Sequence, residues 1–350
     1  MDMKTIILED FGGIENFKMT EKHLEDPREG EVRIQICAAS INPVDFKTRK
    51  GLLGGTLPMV LGVDAAGRID AVGAGVSGYS IGDEIYAFVD PEGPAGNGSY
   101  AGYVTLPAAF VGKKPFNYTF PQAAAMAMVG PTAYQCVFDK ARVEKDESIF
   151  VAGGSGAVGA VAIQLAKYRG ANPIITTAGT DESFRYLVEE LGVPERHILD
   201  YKGLSLEDMK KKITEMNGGK PVRAAFDFVG GDMKRLCFNV IGFDMRVVSI
   251  VEEPEDFRLH LLSGAESPLF AKSGTFHFQL LLARARFGQP NDWNIYGEEL
   301  DALTDLAEAG HVNPHRIIML NDFSAESVQE GHRRLEGRHV DGKLVLPISA

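Results

Sequence analysis

Cysteine is scarce in this chain: three among 350 residues, Cys37, Cys136 and Cys237, each about a hundred residues from the next. That spacing builds neither a disulfide framework nor a zinc motif. The thiols read as reduced and structural, which predicts a cytoplasmic setting. Positive charge is also short, with 36 Lys and Arg against 48 Asp and Glu and a net charge of −12. A broad negative field repels phosphate backbones and excludes nucleic acid as the main partner. A local pocket can still hold one small anion. Long apolar runs are missing as well. The most apolar stretch, 123–129, has seven residues, against the roughly 18 needed to cross a bilayer, so no membrane partner is expected. The start, MDMKTIILEDFGG, has a short apolar run cut off by Glu9 and Asp10, and it does not read as a signal peptide.

Glycine, by contrast, is plentiful, at 39 residues, above a usual share of roughly 7%. A chain of this length predicts about two domains. The first part reads as β. Residues 4–8 and 31–39 are strands, the second with Val32, Ile34 and Ile36 on one face. Short segments with glycine between them through 51–88 suggest a compact β-barrel-like unit, followed by a turn-rich loop at 90–98. Residues 121–139 read as two helical pieces parted near Gly130 and Pro131, because Pro lacks an amide hydrogen and disfavours helix at the residue before it.

From there strands and helices alternate. Strands are predicted at 148–152, 173–177, 197–200, 222–229 and 245–250, with helices at 157–169, around 184–191, at 205–216 and at 232–241. This repetition predicts a parallel, doubly wound sheet. Residues 251–295 are hard to read, with one candidate strand at 273–282. A helix at 297–309 and a strand at 343–348 complete the chain.

The strongest motif is IFVAGGSGAVGAVAIQLAK at 149–167. An apolar strand runs through Gly153 into Gly154-x-Gly156-x-x-Gly159 and then into a helix, the context a dinucleotide fingerprint requires. Glycine removes the Cβ where pyrophosphate must approach the backbone, and the helix start presents N–H groups to it. The next strand ends Ile174-Ile175-Thr176-Thr177-Ala178-Gly179-Thr180, without the acid that usually binds a ribose diol. Thr177 and Thr180 can donate hydroxyls, and Arg185 follows one turn later, which favours a 2′-phosphate and hence NADPH. The opposing reading gives the diol to Asp181 or Glu182. The plainest one makes both acids helix-start charges that suit the dipole.

The segments SINPVDFKTRKG (40–51), PMVLGVDAAGRIDAVGAGVSGYSIGDEIYAF (58–88), GSYAGYVTLPA (98–108), AAAMAMVGPTAY (123–134), the glycine motif and DGKLVLPI (341–348) together resemble the medium-chain dehydrogenase/reductase superfamily. Within it they resemble the zinc-independent quinone oxidoreductase branch, along nearly the whole chain. The resemblance implies an α/β protein with a GroES-like β-barrel catalytic domain from both chain ends (1–122 and 297–350) and a doubly wound Rossmann cofactor domain between them (123–296). The zinc branch has a Cys, a Gly-His-Glu and a four-Cys lobe. Here Ala39-Ser40-Ile41-Asn42, Gly62-Val63-Asp64 and a Cys-free loop stand instead. Zinc needs three or four converging ligands, so no metal is expected.

Without a Lewis acid, alcohol oxidation lacks its alkoxide stabiliser. The resemblance then implies hydride transfer from NADPH to a quinone, or to the C=C bond of an enone or enal. Asn42 and Asp45 would face the nicotinamide, Asn42 as a donor to the acceptor carbonyl and Asp45 orienting a loop or the ribose. Lys47 stands where some quinone reductases have a Tyr, as a charge donor or a solvated lysine. Tyr100 is a second donor or a pocket wall. Thr132, Ala157, Val158, Gly179, Tyr201, Phe228, Val229, Ser249, Ile250 and Lys343 match positions around the cofactor. Phe276 and Phe278 alternate in the suspected last strand of the sheet, whose edge implies a homodimer. Two alternatives stand. One is an enoyl-thioester reductase, with Arg284 and Arg286 at a basic entrance or else merely a solvated pair. The other is a protein of this fold that binds NADPH without turnover.

Overall fold

The computed structural model describes residues 2–93, 95–254, 256–259, 261, 267–337 and 340–348. Parts of the 251–295 stretch, at 255, 260 and 262–266, therefore lie outside the described residues, as does residue 94 of the 90–98 loop. The chain divides into two compact units, Met1–Pro131 with Leu281–Ala350, and Thr132–Leu280. These edges differ from 122/123 and 296/297. The helix Phe120–Ala124 packs on the strands Glu31–Ser40 and Asp64–Val72. Downstream, the Tyr296 hydroxyl donates to the Leu281 carbonyl at 2.6 Å, and its ring stacks on Phe110. Both flanks are thus cemented into the first unit by side-chain packing.

In that unit the strand Glu31–Ser40 is central. Its buried positions alternate from Val32 to Ala38, as a half-buried strand requires. It pairs antiparallel with Asp64–Val72, with Tyr103–Pro107 and with the tail strand Lys343–Pro347. The strands Glu84–Phe88 and Val111–Lys113 extend the sheet on one side, and Ile317–Met319 on the other. A second sheet joins Asp2–Leu8 to Phe17–His23 along its whole length. Phe17–His23 escapes a sequence reading because FKMTEKH is polar and mostly exposed.

Among the described residues the second unit holds six strands, all parallel, in the order Ile198–Asp200, Ile174–Ala178, Ile149–Ala152, Val222–Asp227, Ile241–Ser249, Thr275–Phe278. Strand order reverses between Ile149–Ala152 and Val222–Asp227, the topological switch point at which such sheets bind ligands. The core, with Phe150, Ile175, Leu236 and Phe238, lies between this sheet and its helices. Cys136 and Cys237 are buried and Cys37 half-buried, all three as free thiols. No helix is long and apolar enough to cross a membrane among the described residues.

One local expectation shifts. The helical break in 121–139 falls at 125–128, between Phe120–Ala124 and Val129–Tyr134. Pro131 sits inside the first turn of the second piece, where its missing N–H has no intrahelical partner to lose. That piece runs into a π-helical stretch, Gln135–Lys140.

Candidate active site

In the first unit a polar cluster forms at the end of the strand Glu31–Ser40. Pro43 opens the short helix Pro43–Arg49, and Asp45 stands at its third position. Asp45 accepts the Asn42 backbone N–H at 2.7 Å and the Gly62 N–H at 3.2 Å. Burial lifts its carboxyl to about 7, and the nearby Asp64 charge adds to the rise. Asp64 is fully buried. Its Oδ2 accepts from the Ser40 hydroxyl and, at 2.6 Å, from Asn42 Nδ2. Lys343 Nζ donates to Asn42 Oδ1 and lies 3.5 Å from Asp64 Oδ2. Burial pulls Lys343 down, while Asp64 and Asp45 hold it up. Lys343, expected at the cofactor, is thus buried with its ammonium engaged inside the cluster.

Tyr100 is fully buried, and its hydroxyl meets the Asp45 carboxyl and, at 3.4 Å, His332 Nε2. Desolvation pushes the phenol well up. It underlies the cluster rather than facing solvent. Burial drives His315 and His332 down to about 3, so both remain neutral near pH 7. Lys47 lies half-buried on the helix that carries Asp45. Ser40, His315 and His332 were not singled out from sequence. Ser40 is bonded to Asp64, His332 meets the Tyr100 hydroxyl, and the buried His315 feels the Lys343 charge; the two histidines reach the cluster from distant parts of the chain.

In the second unit the glycine motif forms a cradle. Gly153 has φ +82°, the left-handed region that favours glycine. A Cβ at Gly153 would come within 2.7 Å of Val229 Cγ2. One at Gly154 would run into Thr176 Oγ1, and one at Gly159 into the Gly153 carbonyl oxygen. Gly156 caps the helix Ala157–Tyr168, and Ala157 and Val158 lie half-buried in its first turn. Gly153 N–H donates to Thr177 Oγ1 at 3.1 Å. Thr177 is buried, so it braces the cradle; it is not placed to donate outward as expected.

Thr180 caps the helix Asp181–Glu189 by accepting the Ser183 N–H. Asp181 and Glu182 are exposed in its first turn, and Arg185 is exposed without an ion pair among the described residues. A Cβ at Gly179 would meet the Tyr201 hydroxyl, which places that ring beside the strand end. Thr132 is buried at the start of the unit. Phe228, half-buried, and the exposed Val229 follow the strand Val222–Asp227. Ser249 Oγ donates to Asp227 Oδ2 at 2.7 Å, and the Ile250 N–H to the Asp227 carbonyl at 3.3 Å. Asp227 Oδ1 also accepts the Val229 and Gly230 N–H groups, at 3.1 and 2.7 Å. Asp227, which shapes this end of the sheet, was missed; the signal was an acid closing an apolar strand. Phe276 is half-buried, and Phe278, at the edge of the sheet, is 71% exposed. Arg286 is bound to both Asp90 oxygens at 2.9 Å and reaches Glu92 at 3.3 Å. Its charge is thus met by two carboxylates.

A family model for an alcohol dehydrogenase GroES-like domain matches residues 28–116, and one for a zinc-binding dehydrogenase matches 157–266. The chain is 34% identical over 292 residues to a 2-methylene-furan-3-one reductase of Solanum lycopersicum, covering 79% of this chain and 74% of that protein. It is 30% identical over 354 residues to a chloroplastic NADPH-dependent alkenal/one oxidoreductase of Arabidopsis thaliana, covering 99% and 79%. A quinone oxidoreductase structure from Coxiella burnetii superposes with a TM-score of 0.77 at 26% identity, over all of both chains. The glycine cradle fits the nicotinamide dinucleotide that such proteins bind. The zinc in the second model's description does not fit. Among the described residues no three His, Cys, Asp or Glu side chains gather, and the buried Asp64 already faces an ammonium.

Proposed function

The chain belongs to the medium-chain dehydrogenase/reductase superfamily, and from that premise we propose that it is a zinc-independent, NADPH-dependent reductase of quinones and α,β-unsaturated carbonyls. The observation that carries this reading is the donor set around Asp64: a hydroxyl, an amide and an ammonium. An ammonium beside the carboxylate, with no Cys or His next to it, does not make a zinc donor set, which suits a substrate that arrives already activated. The relatives named for enone and alkenal reduction support the same chemistry.

A reduced nicotinamide dinucleotide supplies the hydride when bound. Gly153, Gly154, Gly156 and Gly159 let its pyrophosphate reach the backbone, and the start of the helix Ala157–Tyr168 offers N–H groups and a positive dipole end. Arg185 and the Thr180 hydroxyl take the 2′-phosphate, and Tyr201 and Gly179 wall the adenosine. Thr132, Val158, Phe228, Val229, Ser249 and Ile250 line the path toward the nicotinamide. Asn42 donates to the acceptor oxygen, where charge gathers as hydride reaches the β-carbon or the quinone ring. Asn42 Nδ2 gives one N–H to Asp64 Oδ2 at 2.6 Å, with Ser40 Oγ at 3.4 Å on the same side, and among the described residues no other acceptor meets its second N–H. That second N–H is the one for substrate, and water supplies the proton. Asp45 fixes the Asn42 backbone.

The three free thiols fit a cytoplasmic setting. The edge strand Thr275–Phe278, with exposed Phe278, fits a homodimer; sedimentation showing only monomer would remove this part. The deciding experiment follows NADPH oxidation against a quinone, an enone, an enal and an enoyl thioester. Turnover with the first three, and far slower turnover with NADH, is the expected result. Preference for the thioester would replace the substrate class. Tight NADPH binding without any turnover would leave a cofactor-binding protein.

A further inference from the structure

The Asn42 carboxamide is buried between two charges of opposite sign. Asn42 is 2% exposed, Asp64 0% and Lys343 5%. An amide side chain can be turned two ways, and its neighbours choose between them. Lys343 has only donors, so it faces the Asn42 oxygen. Asp64, when ionised, has only acceptors, so it faces the Asn42 nitrogen. Neither charge tolerates the flipped amide.

The partners come from distant parts of the chain. Asp64 opens the strand Asp64–Val72, which runs antiparallel to Glu31–Ser40. Lys343 is 301 positions from Asn42, and the pairing of Val345 with Ser40 delivers it. Ser40 adds its hydroxyl to the same Asp64 oxygen. Burial keeps the nearby His315 neutral, and among the described residues Lys343 is the cation that reaches Asp64.

We infer that Lys343 and Asp64 are positioning residues, a charged clamp that fixes the Asn42 carboxamide so that its second N–H keeps one direction, toward the acceptor oxygen. The inference rests on the role given to Asn42 above. It assigns Lys343 to this amide and not to the cofactor.

The test is Lys343→Met. Lys343→Met/Asp64→Asn serves as a companion that removes both charges, in case the single change leaves Asp64 too costly to bury. Turnover of an enone at saturating NADPH is expected to fall about 10²-fold, the scale of a misplaced reacting group, with NADPH affinity unchanged. Adding Asn42→Ala to Lys343→Met should cost nothing more, because both changes remove one device. In the enzyme without substrate, the Asn42 side-chain amide signals, assigned by their loss in Asn42→Ala, should be protected from exchange. They should lose that protection in both Lys343 variants. Weakened NADPH binding with turnover kept would return Lys343 to the cofactor and overturn the clamp. So would fully additive losses, or unchanged Asn42 amide signals. If the unaltered enzyme turns over no acceptor, the proposed function fails, and the amide signals alone still decide whether the clamp exists.

Discussion

The two units build their sites by opposite means. The first gathers side chains: Ser40, Asn42, Asp45, Asp64, Tyr100 and Lys343 meet in a buried network of charge and hydrogen bonds. The second removes them. Gly153, Gly154 and Gly159 lie against Val229, Thr176 and backbone, with no room for a Cβ. A site of buried charges is sensitive to charge and pH, whereas a site of bare backbone is sensitive to volume.

The largest effect expected from that contrast is Asp64→Ala, which strands the buried Lys343 ammonium. Losing one partner of a buried pair costs about 3–5 kcal/mol, read as a shifted urea midpoint. A change below about 1 kcal/mol would mean the pair is solvated and surface-like.

The same network predicts a pH signature that the glycine site lacks. Burial raises Asp45 from 3.8 to about 7, so the folded protein keeps a proton that the unfolded chain has released. That stabilisation is fully present below the unfolded value and is lost as pH rises toward 7. The lowered His315 and His332 act the other way, losing stability as pH falls below 6.5. Against Asp45→Asn, which cannot ionise, the unaltered protein should lose ground steadily between pH 4 and 7. Parallel urea midpoints across that range would contradict the buried carboxyl.

For the second unit, Gly159→Ala should destabilise by about 1–3 kcal/mol through overpacking and abolish measurable dinucleotide binding. Its added carbon meets the Gly153 carbonyl, which cannot swing away. An alanine that binds NADPH normally would show a looser cradle. The smallest change is Arg185→Ala. Removing one exposed charge-assisted contact should weaken NADPH by about tenfold and leave NADH unaffected. Equal loss for both cofactors would assign Arg185 a different role.

Much of the second unit was legible beforehand because its information is local. The strand, glycine turn and helix of the cradle are contiguous, and each glycine answers to a neighbour a few residues away or on the adjoining strand. Apolar strands separated by amphipathic helices announced the parallel sheet. Phe17–His23 gave no such signal, since a polar strand at a sheet margin needs no alternation. The helix Ala325–Glu336 was also missed, although Ser324 caps it. Thr177 was misjudged because its type suggests a donor, and only the fold turns its hydroxyl inward to Gly153.

By itself the sequence determined the two-domain class and the glycine cradle, because turn geometry and side-chain period are properties of short segments. Only the tertiary structure decided what pairs with Asp64. Antiparallel pairing of the tail with Glu31–Ser40 brings Lys343 to Asn42 and Asp64. Once buried there, an ammonium, an amide and a carboxylate have little choice of partner, since each unpaired charge in a low-dielectric core costs several kcal/mol.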